Sequence, residues 1–422
     1  MAATLSSLSR PAPAIPLFRS SVIVFLGNSA ARLLGFAFSI AAARLLLPSE
    51  YGLLAFSLSV AAIAATLLTT APRGLARFLS RYRDDQGTQD AYFSNWLVVV
   101  GLTLGGSGLL LIPISALAGL SGWMILGIAA NLIGVAVFEA YREIQRGLGH
   151  FATTGTYYIL ANALQLGAIL AAAALGFRSA ALFLVVYGLS SIAALGPMQL
   201  VAPIDLRFAR QTLAWDRVRV ISRFVRPLLF TAVFYAIWFG ADLILVQRFL
   251  GPAMGGNYAV AKVLAGVLAL APIAIQTVVT PSVARLTEPE VRRYVVRVLA
   301  LACSVTIPVT AALLLLARPL IAVVYGSKYP GAIGPLGILV LGFALHAVYR
   351  VLESFWIGLG RPSIDAAASA VAMICTVTIA LVLIPRMGMV GAAIAFAAGS
   401  ASQLAVMATY TAWTIRPWRA LP

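Results

Sequence analysis

Apolar residues in this chain do not recur in the short amphipathic periods of a soluble protein; they come in long blocks separated by brief polar breaks. The first block runs from about residue 20 to 47, and others follow at 52–80, 91–113, 118–145, 151–175 and 179–203. The pattern then changes. Residues 204–226 hold Arg207, Arg210, Arg217, Arg219, Arg223 and Arg226, interleaved with Trp215, Val218, Val220, Ile221 and Phe224. That stretch is too polar to cross a bilayer, and the interleaving predicts an amphipathic helix at the interface. Six further blocks lie near 227–249, 256–284, 295–317, 334–357, 362–384 and 389–414. A helix needs about 20 apolar residues to cross a hydrocarbon core roughly 30 Å thick, and every block is long enough. The first block exceeds a secretory h-region and carries Asn28 and Arg32, which predicts an uncleaved helix. The expected fold is all-α: a polytopic membrane protein of about 12 transmembrane helices in two six-helix lobes. Residues 1–203 form the first lobe and 227–422 the second, joined by the basic cytoplasmic linker 204–226.

Composition agrees: 61% of residues are hydrophobic and 10% charged, and the mean hydropathy is +0.97, which excludes a water-soluble domain. The formal charge of +17 would suggest nucleic acid in a soluble protein. Here the basic residues sort by side. Of the 30 Lys and Arg, 22 fall on the side of the N terminus, seven on the other, and Arg32 lies inside a span. Short loops rich in Lys and Arg stay in the cytoplasm, so both termini are expected there and no nucleic-acid partner is needed. Cys303 and Cys375 both lie in apolar blocks, with neither a disulfide framework nor metal-ligand spacing.

The two halves resemble each other. Arg44 and Pro48 at the end of the first span correspond to Arg248 and Pro252 at the end of the seventh. Tyr51 corresponds to Tyr258, and Gly147-Leu148-Gly149 to Gly358-Leu359-Gly360. The offsets grow slowly in one order, from 204 to 207 to 211 residues, which suggests duplication. An even number of helices per half makes the repeats parallel, related by an axis along the membrane normal, the geometry of transporters that bind substrate between lobes.

The ordered set of short motifs carries a further likeness. It comprises Ala43-Arg44-Leu45-Leu46 with Pro48, Glu50, Tyr51 and Gly52, then Asp242 followed by Phe249-Leu250-Gly251 and Gly256-Asn257-Tyr258. Val324-Tyr325-Gly326-Ser327-Lys328-Tyr329, Gly358-Leu359-Gly360-Arg361-Pro362, and Ile384-Pro385-Arg386-Met387-Gly388 with Gly391-Ala392-Ala393 complete it. By these residues the chain resembles the polysaccharide exporters of the MOP superfamily, which includes the MATE transporters and the Wzx-type oligosaccharide flippases. The resemblance implies a V-shaped pair of lobes that alternates between inward and outward states and carries a polyprenyl-pyrophosphate-linked oligosaccharide across the bacterial inner membrane. Implied partners are that lipid-linked oligosaccharide, membrane lipid, a coupling ion (H+ or Na+) and a polysaccharide polymerase; no cofactor is implied.

Charges inside the bilayer cost about 2.5–3.5 kcal/mol on the insertion scale and usually face a cavity or a partner, so they are the candidate functional residues. Arg32 lies about 12 residues into its helix, or roughly 18 Å at 1.5 Å per residue, near mid-membrane. Its planar fork suits a phosphate and keeps its charge when partly desolvated; the bland alternative is an internal salt bridge or a bond to helix carbonyls. Asp242 and Lys262 lie at similar depth on neighbouring spans. Either they neutralise each other, or Lys262 is a phosphate ligand and Asp242 a carboxylate for ion coupling. Arg73 stands between Pro72 and Gly74, where a break in the helix would turn it into a cavity as a further substrate ligand, while snorkelling to head groups explains it equally well. Glu139, Arg142, Glu143 and Arg146 share one helix face; a solvated ion-pair ladder is the plain reading, and Glu139 is the candidate second coupling carboxylate. His346 reads as an interhelical hydrogen-bond partner.

Three rival functions are weaker. An ion-coupled multidrug or metabolite antiporter would share the fold, but cationic substrates call for cavity carboxylates and the mid-membrane balance here is positive. A membrane glycosyltransferase or polymerase would carry acidic residues in sizeable outer loops, whereas Asp84-Asp85 lies on the cytoplasmic side. A scaffold would leave the buried charges unexplained. No Gly-Lys-Ser/Thr phosphate loop for ATP is present, so the expected protein is not an enzyme and works by alternating access on an ion gradient or the membrane potential.

Overall fold

The computed structural model describes residues 17–270, 288–359, 361 and 363–415, with 272, 275, 276, 279 and 283. Within these residues the chain is helical throughout, as a lipid environment requires: backbone groups that find no water must bond within their own segment. The helices are α1 (Leu17–Leu45), α2 (Pro48–Ala64), α3 (Thr66–Arg81), α4 (Gln86–Ala118), α5 (Gly122–Gly147), α6 (Phe151–Ala174) and α7 (Ala180–Val201). After a 3-10 turn at Arg210–Thr212 come α8 (Trp215–Leu250), α9 (Pro252–Ala265), α10 (Glu288–Leu315), α11 (Ala317–Tyr325), α12 (Ile333–Gly358), α13 (Ser363–Met387) and α14 (Met389–Ile415). Nine of the described helices, or ten with α2 and α3 taken as one bent span, are long and apolar enough to cross a membrane. The remaining expected crossings correspond to the 33-residue α4 and to the segment opened by α9, most of whose second half lies outside the described residues.

Local chemistry sets the helix starts. The Ser121 and Ser179 hydroxyls accept from the Met124 and Leu182 amides and cap α5 and α7, and Pro48 and Pro252 open α2 and α9, where a missing N–H costs nothing. Before α4, Asp85 accepts from the Thr88 amide at 3.0 Å and from its hydroxyl at 2.5 Å. Those bonds hold its carboxyl below the usual carboxylate range.

The second span departs from expectation. Its bend, 44°, falls at Ala65 between α2 and α3 and not at Pro72–Gly74, which lies inside α3. The Thr66 and Thr70 hydroxyls bond back to the Ala62 and Thr66 carbonyls, a pattern that bends helices, and Ser107 of α4 donates to the Ala64 carbonyl at the break. The basic segment also takes a particular form: Trp215–Arg226 is the first three turns of α8 and runs unbroken into the span Leu228–Leu250. At 1.5 Å per residue its 36 residues extend about 54 Å, well beyond the hydrocarbon core. Val218, Ile221 and Val225 on its inner face are buried against Ala71, Leu75 and Phe78 of α3 and Trp96 and Val99 of α4.

Helices α1–α7 and α8–α14 form two lobes with matching packing. Helix α1 lies on α6 as α8 lies on α13, and α5 on α7 as α12 on α14. The lobes meet through α2 and α9. At the outer end a single apolar cluster crosses between them, joining Leu46, Tyr51 and Leu54 to Tyr258, Leu264 and Tyr329. Elsewhere the apolar packing falls into three further clusters: one joining Ala71 of α3 and Trp96 of α4 to Ile221 of α8, one around Tyr157 and Met198, and one in the second lobe around Tyr349, Phe355 and Met407.

A candidate substrate cavity between the lobes

The seal at the outer end is polar as well as apolar. Arg44, in the last turn of α1, donates from Nε to the Val324 carbonyl at 2.6 Å and from its terminal nitrogen to the Val323 carbonyl, at the end of α11. Lys328 donates back to the Arg44 carbonyl at 2.7 Å, and the Tyr329 hydroxyl to the Ala43 carbonyl at 2.7 Å. Each lobe thus caps a helix C-terminus of the other with a cation, where the unsatisfied carbonyls and the helix dipole favour positive charge. Next to this latch α2 and α9 touch backbone to backbone: a methyl added at Gly52 would overlap the Pro252 carbonyl, and one at Gly256 the Pro48 carbonyl. No side-chain rearrangement relieves such a clash. Gly256→Ala is therefore expected to force these ends of α2 and α9 apart. Spin-label distances between α2 and α9 should lengthen by a few ångströms; unchanged distances would refute the close packing.

Below the latch lies a cavity of about 560 Å³, lined by both lobes. The first lobe contributes Arg32, Ser39, Tyr158, Asn162 and Tyr187, and the second Phe239, Lys262 and Phe343. No carboxylate lines it among the described residues. Arg32 lines this space, is exposed, and has no salt bridge among the described residues.

Asp242 and Lys262 are brought together. The Lys262 Nζ lies 2.6 Å from Asp242 Oδ1, also donates to the Phe239 carbonyl, and sits 4.7 and 4.8 Å from the ring centroids of Phe239 and Phe396. Asp242 is fully buried and accepts in addition from the Tyr258 hydroxyl at 2.7 Å and the Leu243 amide at 2.8 Å. Lys262 therefore faces the cavity with its charge neutralised from behind.

On α5 Glu139 pairs with Arg142 at 3.1 Å, and Arg73 on α3 is exposed and is not among the lining residues of the cavity. Arg142 lies 5.0 Å from the ring centroid of Tyr158, a cavity residue, and its buried Nε has no hydrogen-bond partner. The four-residue ladder thus divides: Glu143 and Arg146 pair separately at 3.3 Å, with Arg146 largely exposed, while Glu139 and Arg142 turn toward the path into the cavity.

One polar constellation escaped sequence reasoning. In the second lobe His346 bonds to Gln403 at 3.1 Å and lies 3.5 Å from the Tyr235 hydroxyl; Gln403 bonds to Ser369 at 3.3 Å. Ser369 and the Tyr349 hydroxyl both reach Asp365. Beside them Arg350 pairs with Glu353 at 2.7 Å, and Gln276 bonds both. His346 has the interhelical role expected of it. The available signal was the Arg350/Glu353 spacing of three inside an apolar span; Asp365 only looks like a first-turn residue. Among the described residues no cluster of His, Cys, Asp and Glu could hold a metal ion, and Cys303 and Cys375 are unpaired thiols.

The sequence model of the family described as polysaccharide biosynthesis protein matches residues 41–334, a stretch that holds both halves of the latch and most of the cavity wall. The chain belongs to this family. Solved structures share its fold. An inward-facing multidrug resistance MATE family transporter of the MOP superfamily is 14% identical with a TM-score of 0.78, covering 92% of this chain and 96% of that one. The lipid II flippase MurJ, in an inward closed conformation, is 14% identical with a TM-score of 0.76, covering 92% and 87%. An outward-facing MATE transporter is 14% identical with a TM-score of 0.68, covering 98% and 100%. Among curated proteins none matches the chain in sequence. The protein is a multi-pass membrane protein of a transporter fold, and its solved neighbours in that fold are transporters and a flippase.

Proposed function

We propose that this exporter is a flippase of the bacterial inner membrane, with both termini cytoplasmic, that moves a polyprenyl-pyrophosphate-linked oligosaccharide outward for cell-surface polysaccharide synthesis. The observation that carries the proposal is the charge of the cavity lining: Arg32 stands there with no salt bridge among the described residues, Lys262 is balanced by Asp242 behind it, and no carboxylate lines the space among the described residues. A pyrophosphate needs several donors in a partly desolvated space, and an arginine fork supplies two parallel ones. Family membership and the fold shared with a lipid II flippase support the same reading. A cationic drug would meet the unpaired Arg32 and no carboxylate among the described lining residues.

In the inward state Arg73 and Arg142 meet the head group first, and Arg32 holds the pyrophosphate between the lobes while the polyprenyl chain stays in lipid. Lys262 joins once phosphate competes with Asp242 for its ammonium. Asp242, released, is then free to take H+ or Na+, and Glu139 is the second carboxylate available for coupling. Each charge that crosses 100 mV of potential contributes about 2.3 kcal/mol, enough to bias the rocking of the lobes. Outward opening requires breaking the latch of Arg44, Lys328 and Tyr329.

The test is binding by the purified protein in nanodiscs, with an undecaprenyl-pyrophosphate-linked sugar and a cationic dye as competing probes. The flippase reading expects the lipid-linked anion to bind and the dye to be excluded. Dye binding that Asp242→Asn abolishes, with no response to the lipid, would place the protein with the drug antiporters.

A further inference from the structure

A second cavity, of about 470 Å³, lies away from the first, in the groove between α3, α4 and the start of α8. One stripe of α8 forms its wall: Arg219, Ser222, Arg223, Arg226 and Leu229 recur at spacings of three and four, so they share one face. Leu67 and Ala71 of α3 and Val99 and Thr103 of α4 form the opposite side. The stripe changes character along its length. Its cytoplasmic end is cationic, and ten residues further on, about 15 Å deeper at 1.5 Å per residue, it is apolar. Phe230, one turn beyond Arg226, is exposed on the same side. Arg219 has only a loose partner, Asp216 at 3.6 Å with both side chains largely exposed. Arg223 and Arg226 have no ion pair among the described residues.

The groove is therefore built for an amphiphile, with anionic oxygens at the arginines and a hydrocarbon chain over Leu67, Ala71, Val99 and Leu229. We propose that it holds a phospholipid of the cytoplasmic leaflet with an anionic phosphodiester head group. Charge complementarity carries the choice, since a zwitterionic lipid would bring its own cation to a site that already has three. The deeper half takes an acyl chain because its lining has no polar side chain except Thr103. The bound lipid would fasten the first turns of α8, which connect the two lobes, to the first lobe. This site is independent of the substrate proposed above, and its test does not use that substrate as the binding probe.

The experiment is native mass spectrometry of the delipidated protein in detergent, titrated with phosphatidylglycerol or phosphatidylcholine. Near a membrane surface each arginine contributes about fivefold in affinity for anionic lipid, so Arg223→Gln/Arg226→Gln together should weaken phosphatidylglycerol binding by about 30-fold and leave phosphatidylcholine unchanged. Arg223→Lys/Arg226→Lys should keep most of the preference, which separates loss of charge from loss of fold. Thr103→Trp should block the groove and remove phosphatidylglycerol with every arginine intact. Equal binding of the two lipids by the wild type, or full retention by the double glutamine variant, would overturn the proposal. So would displacement of phosphatidylglycerol by undecaprenyl pyrophosphate, which would make the groove a waiting site for the carried lipid.

Discussion

Replacing Arg32 by alanine is expected to weaken binding of a pyrophosphate-linked lipid by roughly 100-fold and to abolish its transport, without loss of fold. The magnitude follows from two charge-assisted hydrogen bonds of about 1.5–3 kcal/mol each, discounted because the cavity is open to water. The fold should survive because Arg32 is exposed and has no salt bridge among the described residues to break. Arg32→Lys should recover only part of the binding, since an ammonium on a flexible stem cannot offer a planar fork. Equilibrium binding to nanodiscs, with thermal unfolding of the same samples, separates the two effects. Full transport by a folded Arg32→Ala protein would remove the residue from the site.

Asp242→Asn should have the largest effect on stability. Breaking a buried ion pair leaves an uncompensated charge, typically worth about 3–5 kcal/mol, and here it also disturbs the Tyr258 bond. Lys262→Met alone should cost less, because Asp242 keeps its bonds from Tyr258 and the Leu243 amide. Asp242→Asn/Lys262→Met should regain most of the lost stability, since neither charge then remains to be buried unpaired. If the pair also serves coupling, the double variant will be stable and will still not transport. Unfolding in denaturing detergent measures the first point and transport the second; a stable double variant with normal transport would make the pair purely structural.

Much of this arrangement was legible in the sequence. The spans announce themselves because lipid demands long apolar blocks, and Asp242 and Lys262 could be set at equal depth because they flank one tight outer connection. The motif residues carried more than was read from them. Ala43 and Arg44 meet Val323, Val324, Lys328 and Tyr329 across some 280 residues, and Gly52 meets Pro252. Short motifs from the two halves thus assemble the outer seal, a long-range pairing no local pattern encodes.

Other features were hidden for physical reasons. The bend at Ala65 rests on threonine hydroxyls and on Ser107 from another helix, whereas Pro72 and Gly74 offered a louder local signal. The basic stretch is amphipathic as expected, but its union with the next span into one helix follows from packing on α3 and α4. The network of His346, Gln403, Ser369 and Asp365 draws on α12, α13 and α14, each contributing residues that look unremarkable alone.

The most direct test of the central claim is translocation in proteoliposomes. A fluorescent undecaprenyl-pyrophosphate-linked disaccharide is supplied on the cytoplasmic face, and its arrival on the other leaflet is followed with a membrane-impermeant quencher. Translocation is expected to depend on the protein, to be abolished by Arg32→Ala and to be accelerated by an imposed ion gradient. A wild-type rate equal to that of empty liposomes, alongside active exchange of a cationic drug, would contradict it.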